Sequence, residues 1–410
     1  MSTARLRPEL LPAVLAACLF AGPSARGSET DRLPAFEKRV ANLAGQDGKS
    51  EPVRELRIEL LKYLDTAEGR ASPEKVLALL LRLPPAGAKP PAAPKFPFDA
   101  ATAARYQSDY AAWVGLPREF INSTGIHFVL VPPGTFRMGS PKDEPGHGSG
   151  GYDETLHEVT LTRPFYLGKH EVSVGQFRRF VEATKYVTDG EKNGGGHAHD
   201  ERAVWKHRPG TSWRKPGYAA PFEMKDTHPI VHVSHSDSGA FCRWLAERAG
   251  PAVKTGWTYG LPTEAQWEWA CRAGSAARYW WGPDEDRSGK VVNAGDRALK
   301  RTHPDWPRSI MPMDDGHAFP APVGSYRPNA FGLCDMLGNV WEFCSTRYGP
   351  APRGPVTDPG DGDPKRGFAV RGGGWSNQPN DVRCASRNAD PPHFCHSNLG
   401  FRVALAIPPR

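Results

Sequence analysis

The sequence predicts a mixed α/β domain with little regular secondary structure, preceded by a small helical segment. Three observations carry this. The 410 residues include 43 glycines and 41 prolines, which disfavours a helical bundle and favours a turn-rich domain. Between residues 120 and 275, short β-runs alternate with short, well-capped helices. Beyond residue 275, long stretches have no period at all, and Gly, Pro, Asn and Trp dominate. Such a region must be held by side-chain contacts, disulfides or ions, because its backbone lacks continuous ladders. Charged residues make up 24% and hydrophobic residues 39%, ordinary values that exclude wholesale disorder and leave enough for a core. The net charge of +7 comes without a Lys/Arg block, which argues against a nucleic-acid partner.

At the N-terminus, Arg5 and Arg7 precede an apolar run from Leu10 to Ala21, followed by small residues around Ala25-Arg26-Gly27. This is the layout of a secretory signal peptide, placed at residues 1–27. The run is shorter than the roughly 20 residues that span a bilayer. Leu15-Ala16-Ala17-Cys18 also has the form of a lipoprotein processing box, a second reading in which Cys18 carries a lipid. No later segment has the length and apolarity of a membrane span. The mature chain is expected to be exported, where disulfides are possible. Cys242, Cys271, Cys334, Cys344, Cys384 and Cys395 remain, with connectivity open. None forms the C-x-x-C pair of structural zinc.

Residues 28–83 read as helical. Leu56, Leu60 and Leu64 recur on one face, with Val53 and Leu61 beside them. Ser72 and Pro73 open a second helix carrying Val76, Leu80 and Leu83. Residues 84–98 hold six prolines and read as a linker. Residues 99–119 form a helical lead-in with Tyr106, Tyr110 and Trp113. The main domain spans 120–406. Phe128 to Val131 and His157 to Leu161 read as strands. Ser173 with Gln176, and Thr263 with Gln266, form capping boxes. Ser236 is the expected cap of a helix closed by Gly250-Pro251. His197-Ala198-His199 reads as a solvated, Gly-rich insertion, since no carboxylate or Cys stands beside it at ligand spacing.

Two segments carry chemistry. In Gly332 to Cys344, Asp335 and Glu342 flank a turn at Gly338, a supply of the oxygen ligands that calcium takes about six to eight at a time. In Arg371-Gly372-Gly373-Gly374-Trp375, three glycines allow close backbone approach and Trp375 can wall a cleft. Phe136 to Ser140, Leu261 to Glu268, Leu337 to Glu342, Arg371 to Trp375 and Asn398 to Arg402 occur in this order. Together they closely resemble the formylglycine-generating enzyme family, also called sulfatase-modifying factors, across residues 120–406.

The resemblance implies a compact fold related to C-type lectins, with calcium at two structural sites. One site maps onto Asn293, the carbonyl of Ala294, Asp315 and the carbonyl of His317. The other maps onto Asp335, Gly338, Val340 and Glu342. It also implies that Cys271 pairs with Cys384. Cys242 matches a second family disulfide whose partner position is Val403 here, leaving Cys395 as a substitute partner. The family's catalytic pair fails to carry over. Active members bind Cu(I) through two cysteines separated by four residues, a soft-ligand site. Asn377 stands at the first position, and the shortened segment to Cys384 has no counterpart of the second. Copper is therefore not expected. Arg387, Ser397 and Asn398 match pocket positions of the family, Cys395 stands where the family commonly has a hydroxyl residue, and Trp375 and Asn377 complete the candidate pocket.

Two further readings concern histidines. His393-Phe394-Cys395-His396 contains metal-ligand types, but neighbours in extended chain point opposite ways. Family relatives that make sulfoxides hold iron on histidines of a separate helical domain, and no His precedes His127 here. The sequence therefore favours an exported, calcium-stabilised cleft that binds a peptide, such as one from a sulfatase, or a small ligand. Cysteine oxidation, or different chemistry in the same pocket, are the alternatives.

Overall fold

The computed structural model describes residues 32–200, 203–250 and 256–409. The expected signal peptide and Cys18 lie outside the described residues. The helical segment comprises Leu33–Leu43, Glu51–Leu64, Ala67–Ala71 and Pro73–Arg82. Its periodic apolar side chains, Val53, Leu56, Leu60, Val76 and Leu80, are fully buried. Pro73 occupies the first turn, but the Ser72 hydroxyl makes no capping bond. These helices dock on the main domain. One apolar cluster runs from Leu33 through Leu83 into Trp244, Trp257 and Tyr259. At its polar point the Tyr259 hydroxyl donates to the buried Glu74 carboxylate.

The Pro-rich stretch expected as a linker is a strap laid along the domain. The Ala86 amide donates to the Trp113 carbonyl at 3.0 Å, and Trp113 Nε1 donates to the Gly87 carbonyl at 3.0 Å. Phe96 packs on Phe136 and Phe98 on Trp269, with centroids 6.3 and 5.9 Å apart. Prolines fix the extended path while aromatic side chains between them supply burial. The lead-in helix Ala100–Val114 starts at Asp99, which accepts from the Thr102 amide, and ends at left-handed Gly115.

Four sheets are present among the described residues. The largest orders Glu119–Ile121, His127–Val131, Phe165–Gly168, Ala404–Ala406 and Thr258–Gly260, all antiparallel. The chain end thus pairs with strands far apart in sequence. A second sheet orders Arg387–Asp390, Phe368–Arg371, Trp341–Arg347 and Leu399–Gly400, the last pair parallel. Val356–Thr357, His157–Leu161 and Gly134–Met138 form a third. Gly195–His199 and Trp205–Pro209 form a hairpin. The segment read as a solvated insertion is therefore ordered, with Ala198 buried.

The capping boxes at Ser173 and Thr263 start helices Val174–Thr184 and Glu264–Arg272. The helix His235–Ala249 is capped by Ser234, reciprocated by Asp237, and not by Ser236. The Ser234 spacing satisfies two orphan amides, whereas Ser236 already lies inside the first turn. Among the described residues, no helix is long and apolar enough to cross a membrane.

Buried ion pairs hold the aperiodic region. Arg371 contacts Glu268 and lies 3.6 Å from Glu264. Arg387 forks onto both Glu264 oxygens at 2.7 Å. Arg272 donates to Glu268 at 2.8 Å, and Arg383 reaches Glu154 and Glu144 at 2.7 Å each. Such forked pairs satisfy several donors at once and fix geometry as well as charge. The six described cysteines are free thiols. Cys271 and Cys384 sulfurs lie 3.8 Å apart. Cys242 neighbours Tyr259, whereas Cys395 packs against Gly190 and Gly196, so the suggested Cys242–Cys395 pairing has no counterpart here.

Candidate functional site

The glycine-rich segment, the Ser397-Asn398 turn and the hairpin close around Trp375. Gly374 permits close approach to Asn398, whose side-chain amide donates to Ser376 Oγ at 2.9 Å. Asn377 is a structural node. Its Oδ1 accepts from Trp341 Nε1 at 2.9 Å, the Gly374 amide at 3.0 Å and Asn398 Nδ2 at 3.3 Å. Three donors saturate that oxygen, and an amide oxygen is a poor ligand for a soft monovalent ion. The thiols that follow do not help: Cys384 faces Cys271, and burial pushes the Cys395 thiol up to about 12. The copper pair of the family therefore does not fit these residues.

Beside this node lies a cavity of about 200 Å³. Trp375, Phe319 and Tyr218 wall it, and Ser397 and His199 border it. The Ser397 carbonyl accepts from Tyr218 and from Trp375 Nε1, which fixes both rings. Arg387 stands apart. Its partner is Glu264, and it lines a different cavity with Asp153 and Glu268. The grouping of Arg387 with the Trp375 pocket is thus not what the structure shows; its guanidinium is part of the buried ion network. Cys395 is buried beneath the hairpin and is not among the residues lining the Trp375 cavity.

The expected cation ligands sit on two adjoining loops. Asn293 Nδ2 donates to the Phe319 carbonyl at 3.0 Å, while its Oδ1 is buried without a donor. Asp315 Oδ1 accepts from the His317 amide at 2.7 Å, and its Oδ2 is likewise buried without a donor. Burial, reinforced by Asp296, pushes the Asp315 carboxyl up to about 8. At the second loop, Asp335 Oδ2 accepts from the Gly324 amide at 2.6 Å, and Oδ1 is donorless. Facing it is Glu171, whose Oε1 accepts from Asn339 and whose Oε2 is donorless. Burial first, then Asp335, drives the Glu171 carboxyl far above its ordinary range. Each of these residues keeps one buried oxygen without a partner, an arrangement that a bound cation would satisfy.

Glu342, mapped to the second site by the resemblance, is held by three donors. Its two oxygens take Arg402 Nε and Nη2 at 2.6 Å each, and Trp267 Nε1 at 2.8 Å. Glu171, which the sequence reading does not include, has a donorless oxygen beside Asp335. Gly338 joins the two loops: its φ is +79°, and a Cβ there would lie 2.1 Å from the Asn293 carbonyl oxygen. Among the described residues, no three His, Cys, Asp or Glu side chains gather as a metal-binding group. His393 is exposed and pairs with Asp189, while His396 turns to Asp390. The His393-Cys395-His396 reading therefore fails on direction.

The turn-rich α/β domain and its ordered motifs belong to the sulfatase-modifying-factor class. The comparisons agree. Residues 115–407 match the family described as sulfatase-modifying factor enzyme 1-like domain. The chain is 34% identical over 299 residues to the formylglycine-generating enzyme of Streptomyces coelicolor, covering 67% of this chain and 88% of that one. It is 30% identical over 302 residues to the inactive C-alpha-formylglycine-generating enzyme 2 of Mus musculus, covering 67% and 84%. The structure of PvdO from Pseudomonas aeruginosa superposes with a TM-score of 0.55 at 27% identity, covering 70% of this chain and 98% of that one. The chain belongs to the formylglycine-generating enzyme family.

Proposed function

We propose that this chain is an exported, calcium-stabilised binding member of the family, which holds a peptide or small ligand in the Trp375 cleft and does not oxidise cysteine through Cu(I). The observation that supports this most is Asn377: it occupies the first copper-cysteine position, and its amide oxygen is committed to Trp341, Gly374 and Asn398. The mouse relative named inactive is 30% identical to this chain over 302 residues. The 34% identity to a named formylglycine-generating enzyme favours the second reading, oxidation of a sulfatase cysteine. Purified protein loaded with Cu(I) and offered a sulfatase-type cysteine peptide is expected to yield no aldehyde by mass spectrometry. Formylglycine in that assay would replace the binding reading with the oxidase reading.

Calcium is the second part of the proposal. Asn293 and Asp315, with the carbonyls of Ala294 and His317, would hold one ion. Asp335 and Glu171, with the carbonyls of Gly338 and Val340, would hold the other, Glu342 remaining with Arg402. The ions would neutralise buried carboxylates and tie loops that lack ladders. An ion at a hundred times its dissociation constant stabilises the native state by about 2.7 kcal/mol. Chelation is therefore expected to lower Tm by roughly 5–10 °C, read by calorimetry with and without EGTA. An unchanged melting curve would remove calcium from the proposal.

A further inference from the structure

The cavity beside Trp375 has a size and lining that select a ligand. At about 200 Å³ it exceeds only modestly the roughly 150 Å³ apolar cavity known to take a benzene ring. It has room for one substituted ring and not for a length of peptide backbone. Its walls are themselves rings. Trp375 meets Phe319 at 5.2 Å and 64°, and Tyr218 at 5.6 Å and 83°. Edges and faces arranged this way receive another aromatic ring in the tilted geometries such rings prefer.

The polar groups at its border narrow the chemistry. His199 Nδ1 lies 3.1 Å from the Ala203 carbonyl, which can only accept. The proton is therefore placed on Nδ1 by this bond, and Nε2 keeps its lone pair. Burial lowers the His199 pKa to about 4, so the ring is neutral at ordinary pH and Nε2 remains an acceptor. Ser397 Oγ is buried without a partner on the same wall. Arg208 donates to the carbonyls of His199 and Gly217 at 3.1 and 2.7 Å, and Asp200 pairs with Lys206 at 2.7 Å. Those carbonyls orient the Arg208 guanidinium without neutralising it, so the lining disfavours a cationic ligand.

We propose that this cavity is a subsite for a single aromatic ring carrying a hydroxyl, a phenol, with His199 Nε2 accepting the O–H and Trp375, Phe319 and Tyr218 enclosing the ring. The inference rests on the binding reading above and names the group that is bound. The phenol can belong to a free small molecule or to a tyrosine side chain of a peptide; both present the same ring and donor.

Isothermal titration of the full chain with phenol, toluene and N-acetyl-tyrosinamide tests this. Phenol is expected to bind about tenfold more tightly than toluene, the worth of one net hydrogen bond. His199→Phe keeps a ring but removes the acceptor, and is expected to abolish that preference while toluene binding persists. His199→Asn serves as a second variant, and the chelation shift in Tm reports whether each variant is folded. N-acetyl-tyrosinamide binding as tightly as phenol assigns the ring to a peptide; binding of phenol alone assigns it to a small molecule. Equal affinity for phenol and toluene, or binding of neither, overturns the subsite. If that occurs while no formylglycine forms and chelation still lowers Tm, the binding reading stands without it; formylglycine formation overturns the broader reading on its own.

Discussion

Glu342→Ala is expected to destabilise the fold by about 3–5 kcal/mol, the effect of stranding a buried charge. Arg402 is fully buried, and both oxygens of Glu342 are its carboxylate partners. Its remaining contacts are the carbonyls of Gly168, Lys169, Cys334 and Asp335. Those carbonyls orient the guanidinium but do not neutralise it. Trp267 Nε1 would lose its acceptor in the same step. Urea denaturation of the parent and variant checks this through the shift in midpoint at constant slope. A loss below about 1 kcal/mol would show that the fork contributes little. Asp335→Ala provides the contrast. It removes a donorless oxygen facing Glu171, so it is expected to abolish part of the chelation response with a smaller loss in EGTA.

Gly338→Ala is the second large effect. The backbone there is left-handed, which disfavours an L side chain by about 1–2 kcal/mol. The added methyl would also lie 2.1 Å from the Asn293 carbonyl oxygen and 2.6 Å from Val292 Cγ2. Backbone on the receiving side cannot rotate away, so the loops must part. Overpacking of this kind adds about 1–3 kcal/mol. A total of roughly 2–5 kcal/mol is expected, with loss of the calcium-dependent Tm shift, because both ligand loops move. Calorimetry in calcium and in EGTA measures both quantities. A variant that melts like the parent and responds fully to chelation would show that the loops are not coupled through Gly338.

What the sequence made legible is local. The boxes at Ser173 and Thr263 each close within three residues, so their helices start where the spacing says. Ser234 and Asp237 carry the same spacing, and reading Ser236 as the cap passed over that pair. The pocket segment around Trp375 was visible because its glycines and its family motif sit together. What was hidden depends on partners distant in sequence. Glu171 meets Asn339, 168 residues away, and nothing around Lys169 to Val172 announces an acid aimed at another loop. Arg387 looks like a pocket residue until Glu264, 123 residues upstream, is seen to hold it. The strap reads as a linker because proline count dominates its composition, while Phe96 and Phe98 decide its packing.

The docked helices have a consequence for anyone cutting the gene by homology. The region shared with relatives begins at residue 115, downstream of all four helices, the strap and the Tyr106 helix. An expression fragment that starts there would lay bare Trp244, Trp257 and Tyr259, together with the underside of Trp269, as a sticky apolar flank. Inclusion bodies from that fragment would report on a missing cover and say nothing about whether the remaining scaffold is competent.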